Sequence, residues 1–122
     1  MKQGTNFLLP ITIEYDLTKI EKVEFIFKQL PTPKPSYIAQ PKDIPLEEEI
    51  SLEFIYPSDT ATLSNTEKDV INLHWNEDDT FKFIPDKYIY MDTRITLTES
   101  DQNPETKIIK LKMSPTLFKK DE

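Results

Sequence analysis

The stretch Val23-Glu24-Phe25-Ile26-Phe27-Lys28 decides the fold. Val23, Phe25 and Phe27 fall at every second position, and a period of two places them on one face of an extended chain. A helix would scatter them around its axis. The same alternation continues outward in both directions. Upstream, Ile11, Ile13 and Tyr15 alternate with Thr12 and Glu14. Downstream, Ile50, Leu52, Phe54 and Tyr56 share a face, and Ile71, Leu73 and Trp75 alternate with Asn72 and His74. Ile89, Met91, Ile95 and Leu97 lie on one face of residues 88–97, and the last segment points Ile109, Leu111 and Met113 one way and Lys110 and Lys112 the other.

These segments predict six strands, and Phe81–Ile84 a short seventh. No segment sustains a 3.6-residue period, and the abundant Ile and Thr suit a pleated surface. About seven short strands in roughly 100 residues predict an all-β chain, an immunoglobulin-like antiparallel β-sandwich with a Pro-rich extended loop. A small barrel is the alternative. One helical turn is expected near Ser64–Asp69, with Ser64 as cap and Glu67 three residues on.

The 122 residues fit a single domain spanning 1–122. Apolar residues make up 37% and the aromatics are 7 Phe, 5 Tyr and 1 Trp, enough to bury a core although 30% of residues are charged. With no cysteine, disulfide staples, thiolate zinc sites and cysteine nucleophiles are excluded. No apolar run approaches the ~20 residues of a membrane span, and Met1–Ile11 lacks the features of a signal peptide. The chain therefore reads as soluble, made and kept on the cytoplasmic side or released by lysis. Fifteen Lys and Arg against 22 Asp and Glu leave a net charge of −7, which disfavours nucleic acid as partner. The densest acidic patches, Glu47-Glu48-Glu49 and Glu77-Asp78-Asp79, read as solubilising a loop or a strand entrance.

With one glycine, turns must be built from Pro, Asn, Asp and Ser, as at Tyr56-Pro57-Ser58-Asp59 and Asp101-Gln102-Asn103-Pro104. Half of the ten prolines, namely Pro31, Pro33, Pro35, Pro41 and Pro45, crowd into residues 31–45. Proline fixes φ, so this segment reads as an extended, semi-rigid arm of polyproline-like backbone. It is either an inter-strand loop or an arm that docks on a neighbouring subunit. Its prolines never fall at i and i+3, so it encodes no PxxP ligand.

Catalytic and metal-binding patterns are weak. His74 is the sole histidine and reads as structural or solvent-facing. Gly4 is the sole glycine, so phosphate-cradling loops are excluded. Asp78-Asp79 and the alternating Asp101, Asn103 and Glu105 are the carboxylate candidates for hydrolysis or calcium binding. The second departs from a calcium loop at Thr106, where glycine is wanted, and at Pro104. Both read better as turns. Asp92 and Arg94, two apart on one face, suggest cross-strand pairing. Tyr88 and Tyr90 lie opposite Met91 and are too few to define a sugar platform. No enzyme and no cofactor are expected.

Several segments nevertheless carry a family likeness. Gln3-Gly4-Thr5, Pro10-Ile11, Asp16-Leu17 and Val23–Gln29, followed by Tyr88–Ile95, Asn103-Pro104-Glu105-Thr106 and Met113–Phe118, resemble small proteins encoded among the tail and structural genes of phages and prophages of low-GC Gram-positive bacteria. The layout is also similar to the N-terminal immunoglobulin-like domain of phage baseplate upper proteins. The Pro-rich segment and the middle strands fall outside the likeness.

The resemblance implies a virion structural or assembly protein of tail, baseplate or head, assembled in the host cytoplasm. Its expected partners are other virion proteins and copies of itself, with no nucleic acid and no membrane. The residues expected to meet partners are Pro31, Pro33, Pro35, Tyr37, Pro41, Pro45 and Phe118. The alternatives are an acidic phage-encoded inhibitor of a host defence protein, which would need carboxylates spaced like phosphates, and a carbohydrate-binding module resting on Tyr88 and Tyr90.

Overall fold

The computed structural model describes residues 1–29, 50–98, 104 and 106–117. The Pro-rich segment 31–45 and Phe118 lie outside the described residues. In chain order the elements are β1 (Phe7–Thr12), a single 3-10 turn (Leu17–Lys19) capped by Asp16, β2 (Ile20–Gln29), β3 (Ile50–Tyr56), β4 (Ala61–Leu63), β5 (Val70–Trp75), α1 (Glu77–Lys82), β6 (Tyr88–Leu97) and β7 (Ile109–Lys112). The strands form two antiparallel sheets, one ordered β1-β5-β4 and the other β3-β2-β6-β7. This is the seven-stranded β-sandwich expected from the alternation, with β2 inside the four-stranded sheet.

The core forms where the inward faces meet. Val23, Phe25 and Phe27 of β2 are buried, as are Phe54 of β3, Ile71, Leu73 and Trp75 of β5, and Ile89, Met91 and Ile95 of β6. Trp75 joins the two sheets. Its ring lies 4.8 Å from Phe27 at an interplanar angle of 80° and 5.7 Å from Phe54. Edge-to-face pairs of this kind add about 0.5–1.5 kcal/mol to the burial itself. The indole N–H of Trp75 has no acceptor among the described residues.

Three local expectations are corrected. The Phe81–Ile84 segment is not a strand, because α1 runs through Lys82. Asn76 explains the helix. Its side chain accepts from Asp79 N at 2.8 Å, and the Asp79 carboxylate accepts from Asn76 N at 3.0 Å, forming a capping box. Glu77, Asp78 and Asp79 thus occupy the first turn, where negative charge favours a helix, instead of opening a strand. The seventh strand is β4.

The helical turn expected at Ser64–Asp69 is also absent, although its cap is present: Ser64 Oγ accepts from Thr66 N at 3.2 Å and Glu67 N at 3.1 Å. Ser64 N donates to Val70 O at 2.9 Å, so the segment closes as the β4–β5 turn. Finally, β1 begins at Phe7 and ends at Thr12. Ile13 remains buried, but Tyr15 turns outward and is exposed. Pro10 sits inside β1, which a strand at the sheet edge tolerates.

One pole of the sandwich is locked by polar groups. Thr80 of α1 is fully buried; its hydroxyl accepts from Gly4 N at 3.0 Å and lies 2.9 Å from Thr5 O and 3.0 Å from Glu77 O. Gln29 ends β2 with a buried side chain that donates to Ile84 O at 2.9 Å and accepts from Ile84 N at 2.7 Å. A parallel bridge between Lys2 and Ser114 completes the pole, with Gln3 N donating to Ser114 O at 2.9 Å and Ser114 N to Met1 O at 2.8 Å.

Candidate interaction surface

The outer face of the four-stranded sheet is set by register. Residues directly opposite in an antiparallel pair share a face, so the pairs of β2 with β3 and β6, and of β6 with β7, define rows across the sheet. The first row is Ile55, Glu24 and Arg94; the second is Glu53, Ile26 and Asp92. The third is Ser51, Lys28, Tyr90 and Lys110, and Tyr88 with Lys112 forms the last. Carboxylates therefore occupy one end of the face, and lysines with tyrosines the other.

At the acidic end, Arg94 holds Glu24 through two bonds, Nε to Oε1 at 3.1 Å and a terminal nitrogen to Oε2 at 2.7 Å. Lys22 adds a contact of 3.5 Å. The hydrogen bond from Arg94 holds the Glu24 carboxyl below its ordinary pKa and raises that of the guanidinium. Glu53 lies close enough to add to the field on Arg94. Asp92 accepts from Thr93 N at 2.8 Å and from the Thr106 hydroxyl at 3.2 Å. A shallow groove of about 230 Å³ runs between Glu24, Ile26, Glu53, Ile55, Asp92 and Arg94.

The other end is aromatic and basic. Tyr88 and Tyr90 are both exposed, with ring centroids 6.5 Å apart. The ammonium groups of Lys112 and Lys110 stand 4.6 and 5.5 Å from the Tyr88 centroid, within cation–π reach. Ile55 is 49% exposed and Tyr88 likewise 49%, so apolar surface is open at both ends of the face.

The residues singled out in the sequence are distributed differently. Pro31, Pro33, Pro35, Tyr37, Pro41, Pro45 and Phe118 lie outside the described residues, as do Asp101, Asn103 and Glu105. His74 is exposed on the outer face of the three-stranded sheet, its Nε2 2.8 Å from the Thr62 hydroxyl. Asp79 serves the helix cap. Arg94 does pair across strands, with Glu24 of β2, while Asp92 accepts from the Thr106 hydroxyl. Among the described residues no group of three His, Asp or Glu side chains could hold a metal ion, and no helix is long and apolar enough to cross a membrane.

Lys28, Lys110, Glu53 and Ile26 carry no signal in the sequence that marks them as one surface. Their alternation is visible there, but which strands lie side by side is not, and adjacency creates the rows. No protein-family model, curated protein or solved structure matches this chain.

Proposed function

We propose that the chain is a structural assembly module of a phage or phage-like particle, in tail, baseplate or head, acting through protein–protein contacts in the virion after assembly in the host cytoplasm. One observation carries this reading. A whole sheet face, uncovered among the described residues, combines exposed Ile55, Tyr88 and Tyr90 with charges held in rows. Apolar groups ringed by polar ones suit recognition of another protein surface. The likeness to phage structural proteins supports the particle, and the segment with Pro31, Pro33, Pro35, Tyr37, Pro41 and Pro45, together with Phe118, supplies further docking elements in this reading.

The chain is expected in purified particles at a fixed copy number by mass spectrometry, and to copurify with a tail, baseplate or head protein. Particles that lack it while the gene is expressed would overturn the reading. The inhibitor alternative is less well supported, because the outer face mixes Lys28, Arg94, Lys110 and Lys112 with its carboxylates and does not space negative charge like phosphates. A carbohydrate role rests on the paired rings of Tyr88 and Tyr90. Glycan-array binding that Tyr90→Ala abolishes would favour it.

A further inference from the structure

The two middle rows of the outer face carry opposite charge, Glu53 and Asp92 in one and Lys28 and Lys110 in the other. We infer that this face docks a second copy of this chain, turned over about an axis crossing the strands between the row Glu53, Ile26, Asp92 and the row Ser51, Lys28, Tyr90, Lys110. This deepens the assembly reading and rests on it only for the biological setting.

The argument is one of register. Such a rotation keeps each strand over its own counterpart and reverses strand direction, so the second row of one copy lies over the third row of the other. Asp92 then faces Tyr90 of the second copy and, one strand over, its Lys110. Glu53 faces Ser51 and, one strand over, Lys28. The first row moves over the last, placing Arg94 above the ring of Tyr88 and, one strand over, beside Lys112, the one like-charge approach among the described residues in this register. Each carboxylate of the second row thus lies one strand over from a lysine, each contact occurs twice, and Ile26 lies near the axis against the aliphatic stem of Lys28. Face-to-face sheets keep their strands within about 30° of alignment, which suits this superposition.

Area sets the strength. Three strands of about seven residues and the four residues of β7, about 4.8 Å apart and rising roughly 3.4 Å per residue, present roughly 400 Å² per copy. Two such faces bury about 800 Å² in total, below the range of stable specific interfaces, where association is weak and concentration-dependent. Charge complementarity then supplies orientation and specificity more than raw affinity.

Sedimentation of the full chain over a concentration series tests this. Wild type should self-associate to dimers, and raising salt from about 0.1 M to about 1 M should weaken the association, because the screening length falls from roughly 10 Å to roughly 3 Å. The variant Lys28→Glu with Lys110→Glu, and the variant Glu53→Lys with Asp92→Lys, should each weaken self-association about tenfold or more. An equimolar mixture of the two should recover it as a heterodimer, and a chain carrying all four changes should dimerise again.

Should a variant fail to fold, acetylation footprinting of wild type decides. Lys110 should become protected as concentration rises, and exposed Lys68 should not. A monomeric wild type at the highest reachable concentration, a mixture that stays monomeric with both variants folded, or a Lys110 that reacts equally at all concentrations would overturn the proposal. A monomer that is still found in particles would leave the assembly reading standing and assign this face to a different virion protein. A dimer absent from particles would do the reverse.

Discussion

Gly4 shows how one residue acquires a role that composition conceals. Its scarcity served to exclude phosphate-binding loops, yet its place in the fold depends on the missing side chain. It adopts φ of +77°, and a Cβ there would come within 2.7 Å of the Phe81 ring. Gly4→Ala should destabilise the chain by at least about 1–2 kcal/mol, from left-handed backbone alone, read as a shift in the urea midpoint. Adding Phe81→Leu should recover only the steric part.

Glu24 and Asp16 carry a pH dependence at the same scale. Glu24 is lowered by its bond from Arg94, and Asp16 by bonds from the Thr18 hydroxyl and N–H. Each unfolded carboxylate takes up its proton near the ordinary value, and each folded one only at lower pH. Between those points the unfolded chain binds more protons, so stability is fully present above about pH 4.5 and is lost as pH falls through the depressed values. Arg94→Ala should flatten the acid limb of the melting-temperature profile. The flattening comes from a loss at pH 7 that vanishes at low pH, where Glu24 is protonated, and the loss is small because Arg94 is largely solvent-exposed.

At the scale of elements, the strands were legible because burial on one face imposes a period of two. β3 carries it throughout, β2 from Val23 onward past the irregularity between Ile20 and Lys22, β5 from Ile71 to Trp75, and β6 with Thr93 as its one polar member. The helix was not. Phe81-Lys82-Phe83 reads as alternation, and its three residues are outweighed by the capping box that begins five positions earlier at Asn76. The Ser64 segment shows the converse, a true cap whose chain is drawn into a hairpin by the ladder beyond it. Local signals therefore mark caps correctly, while tertiary pairing decides whether a helix grows from them. Asn76→Ala should cost about 1 kcal/mol in urea denaturation, and Ser64→Ala, which caps no helix, should cost less. The candidate surface was half legible. Alternation puts Lys110, Lys112, Tyr88 and Tyr90 outward, but the order β3-β2-β6-β7 sets Lys28 in one row with Lys110 from the far end of the chain, and no local pattern encodes that.

At the scale of the whole molecule, the two sheets share one apolar interior, and the pole around Thr80, Gln29 and Gly4 ties the N-terminal segment, α1 and the end of β2 together through buried hydrogen bonds. The bridge of Lys2 with Ser114 has a mechanical meaning. The two segments run parallel, so a load applied at Met1 and Leu117 drags them past each other lengthwise and stretches both hydrogen bonds at once. A load applied at Lys87 and Leu117 instead opens the antiparallel β6–β7 pair from the Tyr88–Lys112 end, one contact after another. Single-molecule pulling should give a higher rupture force for the first geometry than for the second, and equal forces would show that the bridge bears no load. A chain tethered across Met1 and Leu117 would thus be gripped in shear, resisting tension along the axis on which those two points are held.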